Sequence, residues 1–181
     1  TVGALDSIVR QGKALYVGIS NYSATQTAEA LKLFKELGTP CLIHQARYSM
    51  FDRWVEDGLL DVVGDAGVGL IAFSPLEQGM LTNRYLYGIP ASSRAADDKS
   101  YLQAERVKEM LPQIQSLAKI AETRGQTLAQ MALAWLLKDE RVTSVLIGAS
   151  SPEQLRENVQ SLENLAFSEA EQAHIQNVIG E

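Results

Sequence analysis

The sequence has one cysteine, two histidines and no long apolar run. A single thiol, Cys41, makes no internal disulfide, which fits a reducing compartment and a cytoplasmic location. With His44 and His174 as the only imidazoles, no zinc cluster can be assembled from cysteine and histidine alone, and no metal site is expected. No stretch reaches the roughly 18 to 20 apolar residues that span a bilayer, so membrane insertion is not expected. The start, TVGALDSIVRQGKA, lacks the charged and apolar regions of a signal peptide. Neither G-x-G-x-x-G nor G-x-x-x-x-G-K-[ST] occurs, so the common nucleotide-binding loops are not supported. Sixteen basic against 22 acidic residues leave a net charge of −6. That balance gives no general affinity for nucleic acid, although a local basic pocket for one small anion remains open.

What is present is an ordinary globular composition over 181 residues, 46% hydrophobic and 21% charged, enough for one core. Val2, Leu5, Ile8 and Val9 recur at helical spacing up to Gln11, and Gly12 is a stop. Leu15 to Ser20 is a short β-rich run. Ser23 opens a capping box with Gln26, and a helix is expected to about Leu37. Cys41–Gln45 and Gly69–Phe73 read as strands, with a helix over Trp54–Ala66 between them. The stretch from Ser74 to about Ser100 has no period, and a loop that long is usually functional or mobile. Tyr101–Arg124 reads as a helix interrupted at Pro112, and Thr127–Lys138 as another. A fourth strand is expected at Thr143–Ile147. A helix follows from Pro152, a residue that costs little in a first turn, to about Leu162. The last helix, Ser168–Ile179, begins with a capping pattern from Ser168 to Glu171. Strands that are apolar on both sides and separated by helices imply a parallel sheet and an α/β fold. Four such strands are either a small open sheet or half of an eight-stranded barrel, which takes roughly 250 residues. The chain also opens inside an amphipathic helix with no cap, which reads as part of a longer protein.

In parallel α/β folds, ligands bind at the carboxyl ends of the strands. Those ends carry Ser20-Asn21, Gln45, Phe73-Ser74-Pro75-Leu76 and Gly148-Ala149-Ser150. Amides, hydroxyls and a flat aromatic suit a planar ligand bearing a carboxamide. The bland alternative is that Ser20 and Asn21 cap the next helix and Phe73 is core. Gly148 to Pro152 leads straight into a helix, whose free N–H groups favour a phosphate. Arg84 and Arg94, in the long loop, are cations close enough in sequence to close over the same ligand; the alternative is two solvated arginines. His44, on a strand, reads as structural or positioning rather than acid–base. His174 reads as solvated helix surface and Cys41 as a core thiol.

Three segments carry a family resemblance. Gly12-Lys13 with Tyr16-Val17-Gly18-Ile19-Ser20-Asn21 resembles the G-K-x-R-x-x-G-V-S-N segment of aldo-keto reductases. Ile71-Ala72-Phe73-Ser74-Pro75-Leu76 resembles their A-Y-S-P-L segment. Ile147-Gly148-Ala149-Ser150, followed by Gln154-Leu155 and Glu157-Asn158, resembles their final cofactor signature. Arg84-Tyr85, Gly88-Ile89-Pro90 and Ser93-Arg94-Ala95 are similar to the potassium-channel β-subunit branch. The resemblance covers nearly the whole chain.

It implies a (β/α)8 barrel of which residues 1–181 form the C-terminal half of a single domain, strands five to eight with their helices. It implies NADPH as the cofactor and a small aldehyde of the triose-phosphate or methylglyoxal type as substrate. Ser20, Asn21 and Gln45 would hold the nicotinamide carboxamide, and Phe73 would stack on the ring. Ser74, Leu76 and Gln78 would line the pyrophosphate path, with Gly79 allowing the turn and Arg84 supplying charge. Ser93 and Arg94 would close the loop over the cofactor. Gly148, Ser150 and Gln154 would meet the adenosine ribose and its 2′-phosphate, and Glu157 and Asn158 the adenine.

The family's catalytic Asp, Tyr, Lys and His would lie in the missing N-terminal half of the barrel, so no catalytic residue is expected here. Lys13 precedes its strand and His44 follows the wrong one. The chain alone would then be inactive, and half a barrel with bare edges would dimerise, aggregate or stay partly molten. The intact protein is expected to be a homo-oligomer. Two alternatives are an NADPH-binding regulatory subunit like a channel β subunit, and an inactive truncation product.

Overall fold

The computed structural model describes residues 1–97 and 99–180. Its elements alternate as the sequence implies: α1 (Val2–Arg10), β1 (Val17–Ser20), α2 (Ala24–Leu37), β2 (Cys41–Arg47), α3 (Leu59–Asp65) and β3 (Gly69–Phe73). They continue with α4 (Ala104–Thr123), α5 (Leu128–Leu137), β4 (Val142–Leu146), α6 (Pro152–Val159) and α7 (Glu169–Ile179). Short 3-10 turns at Trp54–Glu56, Glu77–Gly79, Asn83–Tyr85, Arg94–Ala96 and Gln160–Glu163 punctuate the loops.

Three helices start on reciprocal capping boxes: Ser23 with Gln26, Thr127 with Gln130, and Ser168 with Glu171. Each satisfies two backbone N–H groups that the first turn leaves free. Beyond shifts of a few residues at element ends, two expected elements differ. The helix expected over Trp54–Ala66 is a 3-10 turn and then α3, parted at Gly58, whose φ of 79° is left-handed and ends any helix there. The interruption expected at Pro112 does not occur: α4 runs 20 residues through it. Pro112 is exposed, so the carbonyl its missing N–H leaves unpaired faces water.

All four strands are parallel and lie in chain order, β1-β2-β3-β4. There is no reversal of order, so each crossover goes the same way and the helices collect on one face. The register shows which. Ile19, His44 and Leu70 lie side by side and are buried, as are Ala46 and Ala72 in the next row. On the opposite face Ser20, Gln45, Ile71 and Ser144 are neighbours, and all are at least partly exposed. A parallel sheet wound one way, with one covered face, is consistent with half of a (β/α)8 barrel.

The core lies between the sheet and the helices. It includes Phe34 of α2, Leu59 and Val63 of α3, Ile114 and Leu117 of α4, and Leu128, Met131 and Leu136 of α5. α5 is buried along nearly its whole length, as an apolar helix must be, between α4, β4 and α6. Polar staples close the periphery. The Arg124 guanidinium lies 3.7 Å above the Phe167 ring, pairs with Glu171 at 2.6 Å and donates to the Ala166 carbonyl at 2.9 Å. Among the described residues no helix is long and apolar enough to cross a membrane, and no group of three or more His, Cys, Asp or Glu side chains is placed to hold a metal.

Candidate cofactor groove

The carboxyl ends of the strands are where the backbone is strained. Four non-glycine residues have positive φ among those described: Asn21 (55°), Ser74 (55°), Glu77 (44°) and Gln78 (56°). Asn21 follows β1 directly, and the other three follow β3. Left-handed backbone costs an L-residue roughly 1 to 2 kcal/mol, and such outliers gather at functional sites.

The ends of β3 and β4 form the walls of a groove of about 620 Å³. It brings together ten candidate residues: Phe73, Ser74, Leu76, Gln78, Gly79, Arg84, Arg94, Gly148, Ser150 and Gln154. Phe73 supplies a half-buried aromatic at one end, in register with Leu146. Gly79 has φ 98°, which reserves the position for glycine. A Cβ built on Gly148 meets nothing within 4 Å, so a side chain there would have only open space to enter, beside the groove that Gly148 lines.

The long loop crosses the same groove. Its 3-10 turns carry Arg84 and Arg94, both exposed, and neither pairs with a carboxylate among the described residues. The far wall is the start of α6. Ser151 caps it by accepting from the Gln154 N–H, and Pro152 occupies the first helical position. The Ser150 N–H donates to Gln154 Oε1 at 2.8 Å, and the Ser150 hydroxyl to the same oxygen at 3.1 Å. Gln154 thereby lashes the Gly148–Ser150 turn to the helix. Two cations with no carboxylate partner among the described residues and a helix N-terminus favour an anion, and the flat ring favours a planar group. The residues present fit a ligand with an aromatic ring and phosphates.

Ser20, Asn21 and Gln45 lie on the same side of the sheet but outside the groove lining. Ser20 and Gln45 are register partners. The Asn21 N–H donates to the Gln45 carbonyl at 3.0 Å, and Asn21 Oδ1 accepts from the Arg47 N–H at 3.2 Å. Asn21 thus ties the end of β1 to β2, while its exposed position leaves its amide N–H₂ toward solvent.

Three candidates sit below the surface or elsewhere. Ser93 and Asn158 are buried, at 5% and 3% exposure, with the Ser93 hydroxyl and the Asn158 amide nitrogen unpartnered. Glu157 is exposed on α6, and its carbonyl accepts from Gln130 Nε2 at 3.0 Å. His44 points to the helical side and is fully buried, His174 is exposed on α7, and Cys41 is a buried free thiol. Lys13 precedes β1 and so stands at the opposite end of the sheet from the groove.

Sequence reasoning missed several members. Thr82 lines the groove; its hydroxyl donates to the Gly79 carbonyl at 2.7 Å and accepts from the Arg84 N–H at 3.1 Å. Ile147 and Ala149 join it. Glu77 is buried beside the groove and is held by Arg47 and by the Ser49 hydroxyl. A Thr two residues before an Arg is a weak capping signal. Nothing in the sequence marks Glu77, since its partner is 30 positions away.

Comparisons with known proteins show what the chain is similar to. A family model described as the Aldo/keto reductase family matches residues 1–179. The L-glyceraldehyde 3-phosphate reductase of Escherichia coli strain K12 is 50% identical over 186 aligned residues, covering 100% of this chain and 54% of that protein. The protein of the same description from Escherichia coli O157:H7 matches to the same extent. The chain spans about half the length of the curated relatives it matches.

Proposed function

Since the chain belongs to the aldo-keto reductase family, we propose that its groove holds NADPH and that the intact protein uses it to reduce a small aldehyde. The observation that carries this reading is the groove itself: Phe73, the exposed Arg84 and Arg94, and the start of α6 all line it.

The roles follow from chemistry. Ser20, Asn21 and Gln45 offer hydroxyl and amide groups for a carboxamide, and Phe73 a ring to stack on it. Ser74, Leu76, Gln78 and Gly79 form the turn along which a pyrophosphate would run, with Arg84 as its countercharge. Arg94, Gly148, Ser150 and Gln154 face the position for a ribose bearing a 2′-phosphate. Ser93 belongs with Arg94 to the loop that would close over the cofactor, and Glu157 and Asn158 lie on the helix that would meet the adenine. When bound, NADPH supplies the hydride. This chain's part is to bind and orient it.

The group that would protonate the developing alkoxide is assigned to the portion of the relatives that this chain does not span. His44 faces the helices and Lys13 the far end of the sheet, so neither is offered for that role. The 50% identity to reductases of L-glyceraldehyde 3-phosphate makes a phosphorylated three-carbon aldehyde the first substrate to test. Titrating the intact protein, N-terminal half included, with NADPH and following nicotinamide fluorescence should show saturable binding. No saturation would overturn the reading of the groove. Aldehyde reduction is expected from a protein that also carries the N-terminal half, and none from residues 1–181 alone.

A further inference from the structure

Glu77 is an odd residue to find beside a groove built for an anion. It is buried at 6% exposure, it is acidic, and its backbone is left-handed, as is that of Gln78. A buried carboxylate is costly unless it is paired and hydrogen-bonded. Glu77 is both. Arg47, the last residue of β2, donates from Nη2 to Oε1, and the buried Ser49 hydroxyl donates to Oε2 at 2.8 Å.

Both partners are themselves fixed. Arg47 forms a second ion pair with Asp52 at 3.0 Å, and the Ser49 hydroxyl accepts from the Phe51 N–H at 3.2 Å. The Tyr48 N–H, between them, donates to the Phe73 carbonyl at 3.2 Å. The end of β2 therefore grips the chain at the end of β3 and again at Glu77. Between the two grips lie Ser74, Pro75 and Leu76, and Gln78 and Gly79 follow. All five line the groove. The Glu77 N–H bonds to the Ser74 carbonyl and the Gly79 N–H to the Leu76 carbonyl, both at 2.9 Å, so the turn closes on itself around the clamped carboxylate.

We propose that Glu77 is the positioning residue of the groove: its carboxylate, clamped by Arg47 and Ser49, holds the Ser74–Gly79 turn in the strained shape that receives the ligand's phosphates. This rests on the reading of the groove as a cofactor site. Glu77 touches no ligand in this scheme. It offsets the cost of the turn's left-handed residues with a charge-assisted pair, and Arg47, which it shares with Asp52, offsets its charge in part.

The test pairs NADPH titration with hydrogen exchange on unliganded protein. Glu77→Ala should weaken NADPH at least tenfold and speed amide exchange across residues 74–80, with the helices unchanged. Glu77→Gln keeps the shape and an acceptor oxygen and should recover much of the loss. Arg47→Ala combined with Glu77→Ala should be little worse than Glu77→Ala alone, because the two act as one unit. If Glu77→Ala does not fold, Ser49→Ala removes one grip and should give a smaller change of the same pattern. Binding within twofold of wild type, or faster exchange spread evenly over the whole chain, would overturn the proposal. Wild-type protein that binds no NADPH overturns the cofactor reading instead, and the exchange pattern still decides the clamp.

Discussion

Asn21 and Ser74 leave their strands with the same left-handed φ. Each is the first residue after its strand, and each has φ 55°. The strands they end, β1 and β3, flank β2, which holds both turns: the Arg47 N–H donates to Asn21 Oδ1 and the Tyr48 N–H to the Phe73 carbonyl. The rim at the strand ends is therefore organised from its central strand outward. Strain is placed where the backbone leaves the sheet.

That strain can be measured at Ser74. Glycine adopts a left-handed backbone freely but loses more entropy on folding, and the two effects are each roughly 1 kcal/mol. Ser74→Gly should therefore unfold in urea within about 1 kcal/mol of wild type. Ser74→Val places a β-branched residue at the same φ and should lose about 1 to 3 kcal/mol. Equal losses in both variants would mean that the side chain, not the backbone, is what the turn depends on.

Arg94 decides between the two nicotinamide dinucleotides if it meets the 2′-phosphate. Its guanidinium is exposed, unpaired among the described residues and lines the groove. Arg94→Ala should weaken NADPH roughly tenfold or more, about 1.4 kcal/mol, and NADH far less. Equal weakening would move Arg94 from the 2′-phosphate to the shared pyrophosphate. No weakening would remove it from the site.

Much of the fold was legible because local rules and tertiary structure agree. The Ser23–Gln26 and Ser168–Glu171 patterns are capping boxes in both the sequence and the structure. Strand positions were readable from apolar runs, but β2 extends to Arg47 rather than stopping at Gln45. The extra length comes from pairing with β3, where Ala46 meets Ala72 and Arg47 meets Phe73, and no local pattern encodes a partner. Ten groove residues were legible because strand ends and family motifs mark them. The Arg47–Glu77 pair was not, since it exists only once the register sets Arg47 beside Phe73. Ser93 and Asn158 were named from motifs, and their burial follows from packing that the motifs do not carry.

Acid should loosen the outer helices before neutral pH does. The Arg141 guanidinium holds the Asp139 carboxyl below its ordinary 3.8, bonding at 2.9 Å and 2.7 Å. The Ser168 N–H and hydroxyl, then Arg124, hold Glu171 below its ordinary 4.5. A depressed folded pKa stabilises above the unfolded value, and that contribution is lost as pH falls through the folded one. Stability from these two groups should be flat above about pH 5 and fall below about pH 4. Asp139→Asn should remove part of that acid slope in urea titrations. An unchanged slope would show that the pair with Arg141 contributes nothing to folding.

His44 should produce a second pH dependence at higher pH. It lies between Ile19 and Leu70 on the helical side of the sheet, fully buried, with neither ring nitrogen in hydrogen-bond geometry. Burial pushes its pKa below the ordinary 6.5, and the Tyr22 backbone opposes that only in part. In the unfolded chain the imidazole takes a proton near 6.5, while in the folded chain burial delays that to a lower pH. The unfolded state therefore binds more protons below 6.5, and stability must fall with pH there, by up to about 1.4 kcal/mol per unit, until the folded pKa is passed. Above 6.5 the contribution is complete. His44→Leu removes the titration and two unpaired buried nitrogens, and its neighbours are already apolar. It should flatten the slope below about pH 6.5 and leave stability at pH 7.5 equal or higher. A loss of about 2 kcal/mol at pH 7.5 would mean instead that the ring nitrogens are bonded in solution. The geometry is independent of that outcome: buried on the helical side, His44 has no route to the groove, which opens where β3 and β4 end.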